Sequence, residues 1–138
     1  MDSTPFTIPQ IFGGLAEAEG VARLDQEFLV LEFRVRDNVF EVIKSTIATV
    51  RIPFQEIEMI EFQKGMFSGS LRFRLGNLKL AAEIPKSKAT EATLRIANSH
   101  AVLAQQMAAA ISLRIAEIGL RKLEQSLDRH PPGLPPAP

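Results

Sequence analysis

Between Leu15 and Ala97 apolar residues recur at every second position, and beyond Asn98 they recur at helical spacing. A strand shows period two because its side chains alternate between faces, whereas a helix repeats about every 3.6 residues. Several short strands followed by one long helix restrict the chain to a mainly β architecture closed by a C-terminal helix. At 138 residues it fits one domain, with a core large enough to fold without disulfides.

Residues 1–14 hold Pro5, Pro9, Gly13 and Gly14 among scattered Phe6, Ile8, Ile11 and Phe12, which predicts an irregular N-terminal arm against the body. Ala16–Leu24 reads as a first strand and Leu29–Arg36, the clearest alternation, as a second. Val39–Ser45 suits a helical turn as well as an extended excursion. Ile47–Phe54 reads as a third strand, with Pro53 marking an edge or bulge because it cannot donate to a ladder. Ile57–Lys64, Ser70–Leu75, Leu78–Ile84 and Thr90–Ala97 complete seven strands, Gly76-Asn77 making a two-residue hairpin turn. Asn98 or Ser99 can cap a helix over 99–129. Pro131 and Pro132 stop it, and the Pro-rich end 131–138 is expected to be disordered.

The stretch Arg51-Ile52-Pro53-Phe54-Gln55-Glu56-Ile57, then Lys64-Gly65-Met66-Phe67-Ser68-Gly69-Ser70-Leu71, resembles the bacterial pleckstrin-homology (PH)-like families, with their Ile-Pro strand and Lys-Gly-aromatic-Gly loop. The resemblance covers about Leu15 to Ile115. It implies a seven-stranded PH-like barrel, split 4+3, within a domain over 15–130 and capped by the long helix. It further implies a scaffold or binding module, homo-oligomeric in several members, rather than an enzyme. Eukaryotic PH domains that hold phosphoinositides use a basic motif at the first two strands and the loop between. Here that loop is expected at Leu24-Asp25-Gln26-Glu27-Phe28, whose carboxylates repel a polyphosphate. Phe67 stands where the family commonly has Trp.

Chemistry-bearing residues are few. Cysteine and tyrosine are absent and the two histidines are His100 and His130, so a nucleophile–base pair or a His-rich metal site has little material. No catalytic residue, metal or cofactor is expected. Glu56, Glu58 and Glu61 cluster in sequence, but Glu58 and Glu61 are three apart in a period-two strand and are expected to face opposite ways. Sixteen basic and sixteen acidic residues leave zero net charge, hence no global field toward nucleic acid or an anionic membrane. All nine aromatics are phenylalanines, and those in the strand pattern point inward, away from any nucleic-acid base. No basic n-region opens the chain and no run of about 18 apolar residues crosses it, so a cytoplasmic protein is expected.

Arg34, Arg36, Arg72 and Arg74 form the best candidate basic patch, with Glu32, Glu58 and Glu61 as ordinary cross-strand partners. Lys64, Met66 and Phe67 form a glycine-flanked loop suited to a partner or a lipid interface, against the reading in which Phe67 folds back over a barrel end. The 64–69 loop therefore carries the alternative of a peripheral membrane module, although membrane binding is disfavoured by the charge balance. Pro132-Gly133-Leu134-Pro135 has the spacing of a Pro-rich docking motif.

The helix has two apolar faces. Met107, Ile111, Ile115 and Ile118 form one stripe with Leu103, suited to sealing the barrel. Leu113, Ala116, Leu120, Leu123 and Leu127 form another at 3,4,3,4 spacing, as a coiled-coil seam requires. A helix over 99–129 is about 45 Å long, more than a small barrel needs. Exposed leucines each forgo about 1.5–3 kcal/mol of burial. Self-association through Leu113, Leu120, Leu123 and Leu127 is therefore expected, alongside an unidentified protein partner; the alternative is a helix that breaks at Gly119 and folds back.

Overall fold

A computed structural model describes residues 3–37 and 46–129. The segment Val39–Ser45, His130 and the Pro-rich end 131–138 lie outside the described residues. The architecture is a seven-stranded antiparallel sheet followed by a C-terminal helix. The strands are β1 (Ser3–Ile11), β2 (Ala16–Leu24), β3 (Phe28–Asp37), β4 (Ala48–Pro53), β5 (Ile57–Gln63), β6 (Ser68–Leu75) and β7 (Glu91–Ala97). A short helix α1 (Leu78–Ala82) precedes β7, and α2 (Ala101–Arg129) ends the described chain.

The strand order is β4-β3-β2-β1-β7-β6-β5. Two meanders, β1 to β4 and β5 to β7, therefore meet where β1 lies beside β7, at the single pair Thr7↔Arg95. One buried cluster draws on every strand and on α2, including Phe6, Leu31, Ile52, Phe73, Leu94 and Ile111. The sheet accordingly curls around one shared core.

Two segments differ from the sequence expectation. Residues 3–11 are strand β1, not an irregular arm: Thr4, Phe6 and Ile8 alternate inward with true period two, and the prolines conceal it. The ladder to β2 runs through Pro5↔Val21, where proline has no amide to donate. Pairing with β7 is confined to Thr7, between Pro5 and Pro9. Residues 78–84 are not a strand. The Asn77 side chain accepts a hydrogen bond from the Leu80 amide at 3.1 Å and caps α1. Lys79, Leu80, Ala81 and Ala82 are good helix formers without a β-branched residue among them. Ala81 and Ile84, three apart, are buried while Leu78 is exposed.

α2 runs unbroken through Gly119. Ala104, Met107, Ala108 and Ile111 are buried in the core, and Ile115 and Ile118 pack partly against it. A 3₁₀ turn over Asn98–His100, itself without a side-chain cap, leads into the helix.

Close approach fixes one glycine. A Cβ on Gly20 would lie 2.1 Å from the Glu32 carbonyl oxygen and 2.6 Å from the Phe33 Cβ. Thr4 is the opposite case, a fully buried hydroxyl without a hydrogen-bond partner. Gly20→Ala is expected to destabilise the fold by about 3 kcal/mol through overpacking against backbone. Thr4→Val is expected to be neutral or stabilising by about 1 kcal/mol, since it removes an unpaired buried oxygen at constant shape. Urea midpoints of the two variants check both signs.

Candidate interaction surfaces

The loop between β5 and β6 presents Met66 and Phe67 with 86% and 88% of their surface exposed. Phe67 does not fold back over the sheet. Two constraints build this tip. A Cβ on Gly65 would sit 2.1 Å from the Ser68 carbonyl oxygen, so that position demands glycine, and one on Gly69 would sit 2.4 Å from the Phe62 ring, which would have to shift. The Asn98 side-chain amide donates to the Met66 carbonyl at 3.1 Å, tying the tip to the start of the helical segment. Asn98 is one of the two residues expected to cap the helix; its partner here lies 32 residues away, beyond any local pattern. Lys64 is exposed beside the tip.

Arg72 and Arg74 are not a free cationic patch. Arg72 pairs with Glu61 at 2.5 Å and Arg74 with Glu58 at 3.4 Å across the β5–β6 ladder. Glu58 and Glu61 reach neighbouring arginines of one strand face because β5 carries an irregularity between Ile57 and Met59, which spends one residue without a cross-strand partner. The expectation that they face opposite ways fails at that bulge. Arg36 pairs with Glu19 at 3.5 Å, and Glu32 serves Arg23 at 2.7 Å rather than Arg34. These pairs are half exposed, and each contributes at most about 1 kcal/mol.

The acidic turn Asp25–Glu27 joins β2 to β3, not the first two strands, because β1 precedes them. Asp25 pairs with Arg51 at 3.6 Å, and the Arg51 guanidinium lies 4.8 Å from the Phe28 ring centroid. The connection between β1 and β2 is Phe12-Gly13-Gly14-Leu15, which carries no basic side chain either. His100 is half-buried in the 3₁₀ turn. Among the described residues no group of three or more His, Asp or Glu is placed to hold a metal ion.

A cleft of about 370 Å³ separates the end of β4 from α2, with Phe28, Phe54 and Ile118 along it and Arg121 and Lys122 at the helix side. Arg114 partly closes it, paired with Glu117 at 3.1 Å and 6.0 Å from the Phe54 ring centroid. A groove of about 330 Å³ lies along β1 and β7, edged by Lys86, Lys88 and Arg95.

The outer face of α2 carries exposed apolar residues over several turns. Leu113, Leu120, Leu123 and Leu127 are 43% to 61% exposed, roughly opposite the stripe embedded in the core. By length and composition the Asn98–Leu127 segment is apolar enough to cross a membrane, with 28% of its most apolar window buried. A core helix of a soluble protein passes the same test, and here the apolar residues are divided between two faces.

No protein-family model, curated protein or solved structure matches the chain.

Asn98→Ala removes the tie between Met66 and the helix start. Amide exchange at residues 66–68 is expected to accelerate while global stability falls by no more than about 1 kcal/mol. Hydrogen exchange read by mass spectrometry checks this.

Proposed function

We propose that this protein is a non-catalytic, PH-like interaction module that self-associates through the outer face of α2 and presents its loops or sheet edge to a protein partner. The observation that carries this reading is the exposed leucine seam directly behind a stripe committed to the core. One helix cannot bury both faces on a single sheet, so the seam requires a second surface. The PH-like part rests on the Ile52-Pro53 strand and the Lys64–Gly69 loop. It is supported by the grouping of four and three strands before one C-terminal helix.

Leu120→Asp is expected to lower the mass in solution and leave the fold intact, because a carboxylate in an apolar seam must be desolvated or expel its partner. Ile111→Asp, on the buried face, is expected to unfold the monomer. Light scattering reads the mass and circular dichroism the fold; a wild type monomeric at high concentration sinks the reading.

A second reading, a peripheral lipid-binding module, is favoured by the exposed Met66 and Phe67 with Lys64 beside them. Against it, a membrane-surface polybasic segment gains about 1 kcal/mol per basic residue, and Arg72 and Arg74 are already paired with Glu61 and Glu58. The first reading expects no appreciable sedimentation with phosphoinositide vesicles at physiological salt. Sedimentation abolished by Met66→Ser with Phe67→Ser would establish the second, and salt-sensitive binding abolished by Arg72→Ala with Arg74→Ala would place it on the arginines.

A further inference from the structure

The outer seam of α2 extends beyond its leucines. Carried toward the N-terminus, the alternation of three and four takes in Ala116, Ala109, Gln106 and Val102, each exposed. In heptad notation Gln106, Leu113, Leu120 and Leu127 occupy positions a, and Val102, Ala109, Ala116 and Leu123 occupy positions d. Leucine dominates one column while alanine holds the middle of the other. That asymmetry discriminates between the two ways of pairing a helix with its own copy.

In a parallel pair a meets a and d meets d. Leucine layers at 113 and 120 would then alternate with alanine layers at 109 and 116. Leucine pairs hold the axes roughly 8–10 Å apart, and at that separation facing alanines leave voids. In an antiparallel pair a meets d, and the register centred at the level of Ile118 sets both alanines against leucines. Leu113 meets Leu123 of the second copy, Leu120 meets Ala116, and Leu127 meets Ala109, each layer recurring by two-fold symmetry. Each alanine then faces a leucine, no layer is alanine against alanine, and the Leu113–Leu123 layers are the widest.

Two further features agree with this register and one opposes it. Gly119 lies beside the two-fold, and a Cβ built there would meet nothing within 4 Å, so the chain itself leaves space for close approach. In this register the two Glu117 side chains would approach one another at the axis, a like-charge contact that each tempers through its own Arg114 at 3.1 Å. The register one heptad away would set Gln106 against Leu123 and bury an unpaired amide; the matched register leaves Gln106 outside the six-residue column of leucines and alanines.

We propose that the protein forms an antiparallel two-fold dimer through α2, with its axis at the level of Ile118. This rests on the self-association proposed above and specifies its geometry. The embedded stripe faces away from the seam, so each sheet lies on the outer side of its own helix and the two sheets stand at opposite ends of the pair.

The chain contains no cysteine, so single introduced thiols report the geometry. Leu113→Cys and Leu123→Cys replace exposed side chains and are oxidised separately and after mixing, with products read on non-reducing gels. The expected result is a covalent dimer from the mixture and monomer from either variant alone. In the antiparallel register two copies of position 113 are offset by about 15 Å along the axis, beyond the roughly 7 Å that a disulfide spans between Cα atoms. Cross-linking of Leu113→Cys with itself would overturn the geometry in favour of a parallel pair and leave self-association standing. Absence of cross-linking in the mixture, with a dimeric wild type by light scattering, would overturn this register; the same absence with a monomeric wild type would overturn both readings.

Discussion

Cohesion of the two meanders depends on side-chain burial rather than on the backbone ladder. β1 and β7 share the single pair Thr7↔Arg95, and the prolines flanking it, Pro5 and Pro9, have no amide to donate to any ladder. The strands at the ends of the order, β4 and β5, are not paired with each other. What holds the halves together is the common core, into which α2 inserts Ala104, Met107, Ala108 and Ile111. Burial of apolar area is non-directional, so it tolerates a sheet whose central junction is nearly unpaired. The helix is thus part of the core and not an appendage.

That commitment has a structural cost on the other side. A straight helix whose inner stripe is fixed against the sheet must present its opposite face outward, and here that face carries leucines and alanines in heptad order. Gly119 does not relieve the problem by breaking the helix, since α2 continues through it. A glycine inside a helix costs about 1 kcal/mol relative to alanine, an expense better explained by close packing at that point than by a turn. The same residue that suggested a hinge in the sequence therefore sits where the seam needs least bulk.

Much of the fold was legible because burial followed simple periods. Leu29, Leu31 and Phe33 alternate with charged or exposed neighbours, and the stripe Met107, Ile111, Ile115 and Ile118 repeats at helical spacing, so β3 and α2 fall near their expected limits. The misreadings share a cause: a local punctuation signal hid or imitated a period. Pro5 and Pro9 masked the alternation of Thr4, Phe6 and Ile8 in β1. Gly76-Asn77 imitated a hairpin turn, where Asn77 instead caps α1. The bulge between Ile57 and Met59 shifted the facing of Glu58, an effect that strict alternation cannot anticipate. The tie from Asn98 to Met66 is long-range and leaves no trace in either segment alone.

Charge explains little of the surface, and that itself narrows how recognition can work. The sheet's outer arginines are largely matched with carboxylates on adjacent strands, as Arg23, Arg36, Arg72 and Arg74 illustrate. Such half-exposed pairs contribute little stability, but they cancel the local fields that would steer a charged ligand. Beside these matched pairs stand two exposed apolar features, the Met66–Phe67 tip and the α2 seam. A surface of this kind selects partners by complementary shape and side-chain volume, because apolar contact lacks the directionality of hydrogen bonds and gains specificity only from packing. The alternation of leucine and alanine along α2 is a volume pattern of that sort, and its closest match in size is the same pattern read in the opposite direction.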